Sequence, residues 1–187
     1  NGVWKLSFKA SMMIASLTEE STLTVDKDTL LPQSYRFERG GLGKAKKVDL
    51  DFDWAAKMVT GTDRGDPVKV PLNRGMLDKS TYQLALQEDV AAGKKSMNYQ
   101  VIDGGEVDTY DFRVLGSEKV DTKAGQIDAI KVERVRDPTQ NKRITVLWFA
   151  KDWDYLLVRL QQVETDGKEY NIMLLDGKVN GKAVKGS

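Results

Sequence analysis

The stretch from Val48 to Trp54 reads Val-Asp-Leu-Asp-Phe-Asp-Trp, so every second residue in it is apolar. Successive side chains of an extended strand point to opposite faces, and the apolar residues therefore share one face while the three aspartates share the other. Strict alternation of this kind is typical of a strand with one face on a core and the other in water. The segment predicts a half-buried β-strand.

The same period-2 pattern, or a wholly apolar variant of it, recurs along the chain. It is found at residues 3–10, 21–26, 33–38, 68–72, 97–102, 110–115, 127–135, 144–149, 156–163 and 170–175. Turn-forming sequences such as Asp103-Gly104-Gly105 and Asp166-Gly167 separate these segments. Short strands at regular spacing predict an all-β protein, which we expect to be a highly curved or barrel-like antiparallel sheet of about eleven strands.

One segment has the period of a helix. Ser80 and Gln83 have the spacing of a capping box, in which the two side chains satisfy backbone groups at a helix start. Apolar side chains then recur every fourth residue, at Tyr82, Leu86 and Val90. We predict a single helix at residues 81–92. Because it lies between strands with no change of composition around it, we expect one domain over residues 1–187.

The composition excludes several classes of function. The chain has no histidine and no cysteine, so it has no imidazole base, no thiolate nucleophile and no histidine- or cysteine-bound metal. We expect neither a metal nor another cofactor. With 29 basic and 28 acidic side chains the net charge is +1, which does not favour nucleic acid as a partner. No apolar run approaches the roughly 20 residues that span a bilayer, and no transmembrane segment is expected.

Two groups of aspartates could belong to a catalytic or a metal-binding site. Asp152 and Asp154 flank a tryptophan between the segments 145–149 and 156–160, and we interpret them as the corner between two strands and not as a catalytic pair. The strand before this corner is apolar on both faces and should be covered on both. The aspartate row at 49, 51 and 53 could bind a hard cation. We expect it instead to be a solvated face paired with Arg36 and neighbouring lysines.

Residues 115–134 and 145–160 resemble a bacterial family catalogued as Domain of Unknown Function 3108, and the segments 31–39, 48–61 and 77–86 fit it too. Leu157 departs from the family pattern, in which a proline precedes the Val-Arg pair. The resemblance implies an export signal in a Gram-negative bacterium, and therefore a periplasmic protein. The chain opens on Asn-Gly-Val-Trp without a methionine, as a chain with a removed signal peptide would. The family has no established activity and supplies no catalytic residues.

The strand pair around 145–160 is also similar to one in periplasmic lipoprotein carriers, which wrap a curved sheet around a helix. This similarity suggests an apolar ligand. Four tryptophans and three methionines could line a cavity for it, although such side chains are more often core: Trp4, Trp54, Trp148, Trp153, Met12, Met13 and Met173. We predict Trp148 and Arg134 as a cavity lining and its rim, with Arg134 facing away from the side of Ile130 and Val132.

The sequence therefore favours a non-catalytic, periplasmic envelope protein that binds an apolar, lipid-like ligand or a partner protein. Two alternatives stay open. A pair of carboxylates could hydrolyse an envelope glycan, since 28 acidic residues leave room for one. The protein could also be a scaffold that pairs its sheet edges with strands of a partner.

Overall fold

The structure, a computed structural model, describes residues 2–12, 15–41 and 45–187. The strands are β1 (Trp4–Met12), β2 (Ala15–Asp26), β3 (Thr29–Gly41), β4 (Lys46–Asp53), β5 (Met58–Asp63), β6 (Asp66–Pro71), β7 (Met76–Leu77), β8 (Ser96–Asp103), β9 (Glu106–Thr122), β10 (Gly125–Val135), β11 (Ile144–Ala150), β12 (Leu156–Val163), β13 (Glu169–Met173), β14 (Lys178–Val179) and β15 (Lys182–Ala183). A single helix, α1 (Thr81–Ala91), lies within the described residues. The prediction of a mostly β protein with one helix is confirmed.

Four strands were not predicted: three of two residues each, β7, β14 and β15, and the six-residue β5. In β5 the alternation is broken by Gly61, whose φ is 150°. A Cβ at this position would lie 1.9 Å from the carbonyl oxygen of Asp49, so the close approach of the two backbones requires glycine. Gly61 therefore allows β5 to pair with β4. It also interrupts the alternation of side chains, which is why the sequence pattern did not predict this strand.

The strands form two large open sheets and a small hairpin. The first sheet has the order β1-β2-β3-β4-β5-β6, and each strand pairs antiparallel with the next along the chain. The second has the order β13-β12-β11-β10-β9-β8-β7, in which the short β7 runs parallel to β8. Strands β14 and β15 form the hairpin. The edges of the large sheets are β1 and β6 in one, and β13 and β7 in the other.

By their contacts the residues divide into two compact units, each described by itself below. Unit 1 comprises Asn1–Ala85 and Tyr99–Thr109, and unit 2 comprises Leu86–Asn98 and Tyr110–Ser187. The core of unit 1 is built on the apolar face of the opening stretch, whose Val48, Leu50 and Phe52 pack with the buried residues Tyr35, Val59, Val68, Val70, Leu72 and Ile102. One domain over residues 1–187 stays a prediction.

The start of α1 is capped by a different residue from the one predicted. Oδ1 of Asp78 accepts hydrogen bonds from the backbone N–H groups of Ser80 and Thr81, both at 2.8 Å. In return, the backbone N–H of Asp78 donates to Oγ1 of Thr81 at 2.9 Å. The capping box is thus Asp78 with Thr81, and the assignment to Ser80 and Gln83 is wrong. The predicted helix range is correct to within one residue at its end.

Candidate functional site

The Asp152–Asp154 segment is a corner, as predicted. Residues 151–155 form a turn in which the N–H of Trp153 donates to the carbonyl of Ala150, and the N–H of Leu156 donates to the carbonyl of Trp153. Asp154 has a positive φ of 49°, and its Oδ2 accepts a hydrogen bond of 2.7 Å from Asn180. Its carboxylate therefore contributes to the turn and to the attachment of the segment that follows β13.

The aspartate row of β4 is a solvated face, also as predicted. The Arg36 guanidinium forms ion pairs with Asp49 at 3.0 Å and with Asp51 at 2.8 Å. Asp53 accepts a hydrogen bond from the backbone N–H of Ala56 in the turn that follows. All three carboxylates thus have protein partners, and the row does not converge on one point.

The tryptophans and methionines of the predicted cavity lining are dispersed. Trp4 is 63% exposed on the edge strand β1, and Trp54 packs against the core of unit 1 while its indole N–H donates to the carbonyl of Pro32. Trp153 packs against the core of unit 2, and Met173 is exposed on β13. Met13 and the side chain of Met12 lie outside the described residues. Of the described side chains, Trp4 and Trp54 belong to unit 1, and Trp148, Trp153 and Met173 belong to unit 2.

Trp148 lies in the core of unit 2. Residues 145–150 of β11 are all buried, which confirms the prediction that this strand is covered on both faces. Trp148 itself is 2% exposed and packs in a cluster that includes Val146, Ala150 and Val158. The C-terminal segment contributes Val184 to the same cluster. This packing makes Trp148 a core residue.

Three charged side chains surround the Trp148 ring. Lys131 and Arg159 lie directly opposite it on the neighbouring strands, with Nζ of Lys131 5.3 Å and Cζ of Arg159 4.6 Å from the ring centroid. The indole N–H donates to Oε1 of Glu118 at 2.7 Å, and Lys131 pairs with the same carboxylate at 3.2 Å. The indole hydrogen bond is the main cause that lowers the pKa of Glu118.

Arg134 lies on the other face of the same sheet, so the two predicted site residues do not come together. Trp148 is opposite Lys131, and residues an odd number of positions apart on β10 point to opposite faces. Arg134 instead shares its face with Ile130 and Val132. The expectation that Arg134 faces away from these two residues is wrong, because residues two apart on a regular strand point to the same face. The register shift beside Val132 does not change this, since its extra residue lies on β9 and not on β10.

The Arg134 guanidinium has an aromatic contact, but its Nε has no hydrogen-bond acceptor among the described residues. Its Cζ lies 3.3 Å from the centroid of the Tyr110 ring, and Tyr110 is 2% exposed. Phe112, equally buried, is the cross-strand neighbour of Arg134. Nε of Arg134 is buried, and no described residue accepts a hydrogen bond from it. A buried guanidinium N–H without an acceptor is costly and requires an explanation.

A second buried polar group without a partner lies beside it. Thr145 is 7% exposed, and its Oγ1 has no hydrogen-bond partner within the described ranges. Glu133 pairs with Val146, so Arg134 and Thr145 are the next residues on the two strands and point to the same face. In that register their Cβ atoms are about 5 Å apart. We call Arg134, Tyr110 and Thr145 the Arg134 site.

An apolar row on this face leads from the interior of unit 2 to a sheet edge. Cross-strand pairs connect Val132 to Leu147, Leu147 to Leu160 and Leu160 to Ile172. Val132 and Leu147 are fully buried, Leu160 is half-buried and Ile172 is 49% exposed. On β13 the neighbouring Tyr170 is 54% exposed on the same face. The apolar surface therefore remains uncovered where it reaches the edge.

Unit 1 contains a buried polar cluster that the sequence did not reveal. The Tyr35 hydroxyl donates to Oε1 of Glu19 at 2.8 Å, and the Ser21 hydroxyl donates to Oδ2 of Asp78 at 2.5 Å. Burial raises the pKa of both carboxyl groups and that of the Tyr35 phenol. Because both oxygens of Asp78 already accept hydrogen bonds, its role is to fasten the start of α1 to β2. The Asp78 carboxylate is fully buried and does not fit the glycan hydrolase alternative, which needs groups that can reach a substrate.

The architecture is that of a mostly β protein with two open, largely antiparallel sheets and one helix in the described part of the chain. Residues 3–174 match the family described as "Protein of unknown function (DUF3108)", and the chain belongs to that family. No curated protein matches it. None of the described helices is long and apolar enough to cross a membrane.

A solved structure has a similar fold. It is described as a "Beta-barrel-like Protein of Domain of Unknown Function DUF1849 from Brucella abortus", and it superposes with a TM-score of 0.53. The two sequences are 11% identical, and the match covers 91% of this chain and 78% of the other. At this identity the similarity concerns the fold alone, and it agrees with the predicted barrel-like class.

Proposed function

We propose that this protein is a non-catalytic binding protein of the bacterial envelope, and that its ligand is an apolar molecule with one anionic group, such as a fatty acid. The observation that carries the proposal is the Arg134 site. Arg134 Nε and Thr145 Oγ1 are buried without described hydrogen-bond partners on one face of the sheet of unit 2. The anionic group of the ligand would accept hydrogen bonds from both.

The chemistry of the two groups supports an oxyanion as their partner. A guanidinium presents a planar set of donors that matches a carboxylate or a phosphate, and a hydroxyl can donate to the same group. The Tyr110 ring contacts the guanidinium, and a guanidinium stacked on a ring keeps its in-plane N–H groups available for hydrogen bonds. The one acidic residue next to Arg134 along β10, Glu133, points to the other face and pairs there with Arg113.

The apolar row supports the proposal that the rest of the ligand is apolar. Val132 and Leu147 are already fully buried, so the surface left for an apolar chain is that of the half-buried Leu160 on β12 and of the exposed Tyr170 and Ile172 on β13, on the same face as Arg134. Burial of such side chains by an apolar chain stabilises a complex by roughly 25 cal/mol for each Å² removed from water.

A periplasmic location is part of the proposal. It rests on the resemblance to the exported family and not on the structure. Fractionation of cells that express the full-length gene product tests it, with release by osmotic shock as the expected result.

The edge strands support a second candidate function, the scaffold. Among the residues whose burial the structure describes, eleven large apolar side chains are exposed, and seven of them lie in or beside the edge strands β1 and β13. Natural proteins usually protect edges with charges or prolines, so apolar edges are suited to pairing with a strand of a partner. This candidate differs from the first in one respect: it does not require Arg134.

The experiment that tests the proposal uses a fluorescent fatty acid as the probe. We expect saturable binding of about one probe per chain to the purified native protein, and native mass spectrometry should detect an acidic lipid that copurifies from a Gram-negative host. Arg134→Gln should weaken probe binding, while Arg113→Gln, a matched change on the other face, should leave it unchanged. If the probe fails to bind and no lipid copurifies, the proposal of a ligand-binding protein is refuted and the scaffold function is favoured.

A further inference from the structure

The edge strand β13 differs from the other edges of the two large sheets. Strand β6 contains Pro67 and Pro71, β1 contains two lysines, and β7 is only two residues long. Prolines, lysines and a very short length are the usual means by which an edge strand is kept from pairing with another chain. Strand β13 reads Glu-Tyr-Asn-Ile-Met, has neither proline nor lysine, and is exposed at every residue. Among the edges of the described sheets it is the one best suited to accept a further strand.

The backbone groups of three residues point to this open edge. The N–H of Leu174 donates to the carbonyl of Val158 in β12, so the backbone of Leu174 is directed towards β12. Because this direction alternates along an antiparallel strand, the even-numbered residues of β13 bond to β12 as well, whereas Glu169, Asn171 and Met173 point away from it. No described strand pairs with the N–H and carbonyl groups of these three residues.

The open edge is complementary to itself. We propose that β13 pairs antiparallel with β13 of a second copy of this chain, about a twofold axis that passes beside Asn171. In this register Asn171 lies opposite Asn171 of the partner subunit, and Glu169 lies opposite Met173 of the partner subunit. Each pair of outward-pointing residues then exchanges two backbone hydrogen bonds. The two sheets of unit 2 would join into one continuous sheet.

The side chains of β13 fit the same register. Tyr170 lies opposite Ile172 of the partner subunit, in the type of pair without backbone hydrogen bonds, where side chains are closest. Pairs of an aromatic and a β-branched residue stabilise neighbouring strands, and these two side chains are 54% and 49% exposed in the single chain. Glu169 is the only charged residue of β13 and does not face itself, so no like charges meet.

The strength of this interface is limited by its length. Stable protein interfaces bury about 1,200 Å² or more, and a pair of five-residue strands is smaller than this. We therefore expect a reversible dimer whose population rises with protein concentration. The inference goes beyond the scaffold candidate, because it names a second copy as the partner of one edge. It does not require Arg134, so it can fail while the proposed ligand binding holds.

The first test removes one backbone donor from the edge. Asn171→Pro deletes an N–H that points away from β12, and proline is tolerated at an edge position of this kind. Asn171→Ala is the matched control, since it keeps the N–H and loses the same side chain. Sedimentation velocity from micromolar to millimolar concentration measures the dissociation constant of the dimer. Asn171→Pro should raise it by about tenfold or more, because both hydrogen bonds at the axis are lost, whereas Asn171→Ala should change it much less.

A second pair of variants tests the position of the axis. In Asn171→Lys, and separately in Asn171→Asp, like charges face each other across the axis, so each variant alone should be monomeric. In an equimolar mixture the charges are opposite, and native mass spectrometry should detect a dimer that contains one chain of each. Thermal unfolding of the dilute variants and binding of the fluorescent fatty acid should both stay close to those of the natural chain, which separates loss of the dimer from loss of the fold or of the ligand site.

Three outcomes would overturn the proposal. A natural chain that stays monomeric at every concentration would leave β13 to a strand of another protein. A dimer that persists in both Asn171→Pro and Asn171→Lys would be formed by another surface. A mixture of the lysine and aspartate variants that stays monomeric would show that Asn171 does not face itself.

Discussion

Replacement of Trp148 by alanine should destabilise the protein more than most single substitutions. Trp148 is 2% exposed and lies in the core cluster of unit 2. Truncation of a buried aromatic side chain to alanine costs about 3–5 kcal/mol, because the free energy of burying its apolar atoms is lost and a cavity is left behind. The closely packed strand β11 gives the cavity little room to collapse, because all its residues from 145 to 150 are buried.

A second variant separates the packing of the ring from its polar contacts. Trp148→Phe retains most of the apolar surface but loses the hydrogen bond to Glu118 and weakens the contacts with Lys131 and Arg159. Glu118 is 45% exposed at its side chain, so water can replace the indole as donor. We expect a loss of about 1–2 kcal/mol for this variant, from the two cation–ring contacts and one hydrogen bond.

The assay is urea unfolding monitored by circular dichroism, with the free energy extrapolated to water. Leu175→Ala is the control, since Leu175 is 70% exposed and its truncation should change the free energy of unfolding by no more than about 0.5 kcal/mol. NMR titration of Glu118 gives an independent result: its lowered pKa should rise towards 4.5 in Trp148→Phe, because the largest cause of the shift is removed. A loss below about 1 kcal/mol for Trp148→Ala would refute the placement of this ring in the core.

Three further predictions concern the turn, the strand contact and the helix cap. Asp154→Asn should leave the melting temperature unchanged, because asparagine suits a φ of 49° and can still accept the hydrogen bond of Asn180; a clear drop would mean that the charge itself is needed. Gly61→Ala should cost at least about 3 kcal/mol in unfolding free energy, since its Cβ would lie 1.9 Å from the Asp49 carbonyl; near-natural stability would show that the two strands are farther apart. Burial raises the pKa of Asp78, so its contribution to stability is present below its unfolded pKa of about 3.8 and is lost as the pH rises through the folded value. Unfolding free energies between pH 4 and pH 8 should therefore fall less steeply in Asp78→Asn than in the natural chain, and equal slopes would contradict a buried, proton-retaining carboxyl group.

The sequence predicted the strands in which buried and exposed residues follow a regular pattern. The alternation in β4 follows from one buried and one solvated face, and the wholly apolar β11 follows from two covered faces. The corner at Asp152 and Asp154 was predictable because turn-forming residues stand between two such strands. β5 was missed because the glycine that its backbone contact requires contributes no side chain to the pattern.

The candidate site was predictable only in part. Arg134 was singled out, but the face it occupies was predicted wrongly although the period of the strand determines it. Thr145 carried no signal, because a threonine in an apolar strand is common and only the register shows that it lies next to Arg134. The helix cap was misassigned because Ser80 and Gln83 match the usual capping-box pattern, whereas the contact of Asp78 with Ser21 is a tertiary hydrogen bond that a local pattern does not reveal.

The proposed function requires unit 2 to bind an apolar ligand through the ligand's anionic group at the Arg134 site. The most direct measurement compares the dissociation constants of a fatty acid and of the fatty alcohol of equal length, for the natural chain and for Arg134→Gln. We predict that the natural chain binds the acid at least about tenfold more tightly, and that this preference disappears in the variant while the weaker binding of the alcohol is retained. Equal affinity of the natural chain for the two compounds, or a preference for the acid that survives in Arg134→Gln, would show that Arg134 does not bind the anionic group.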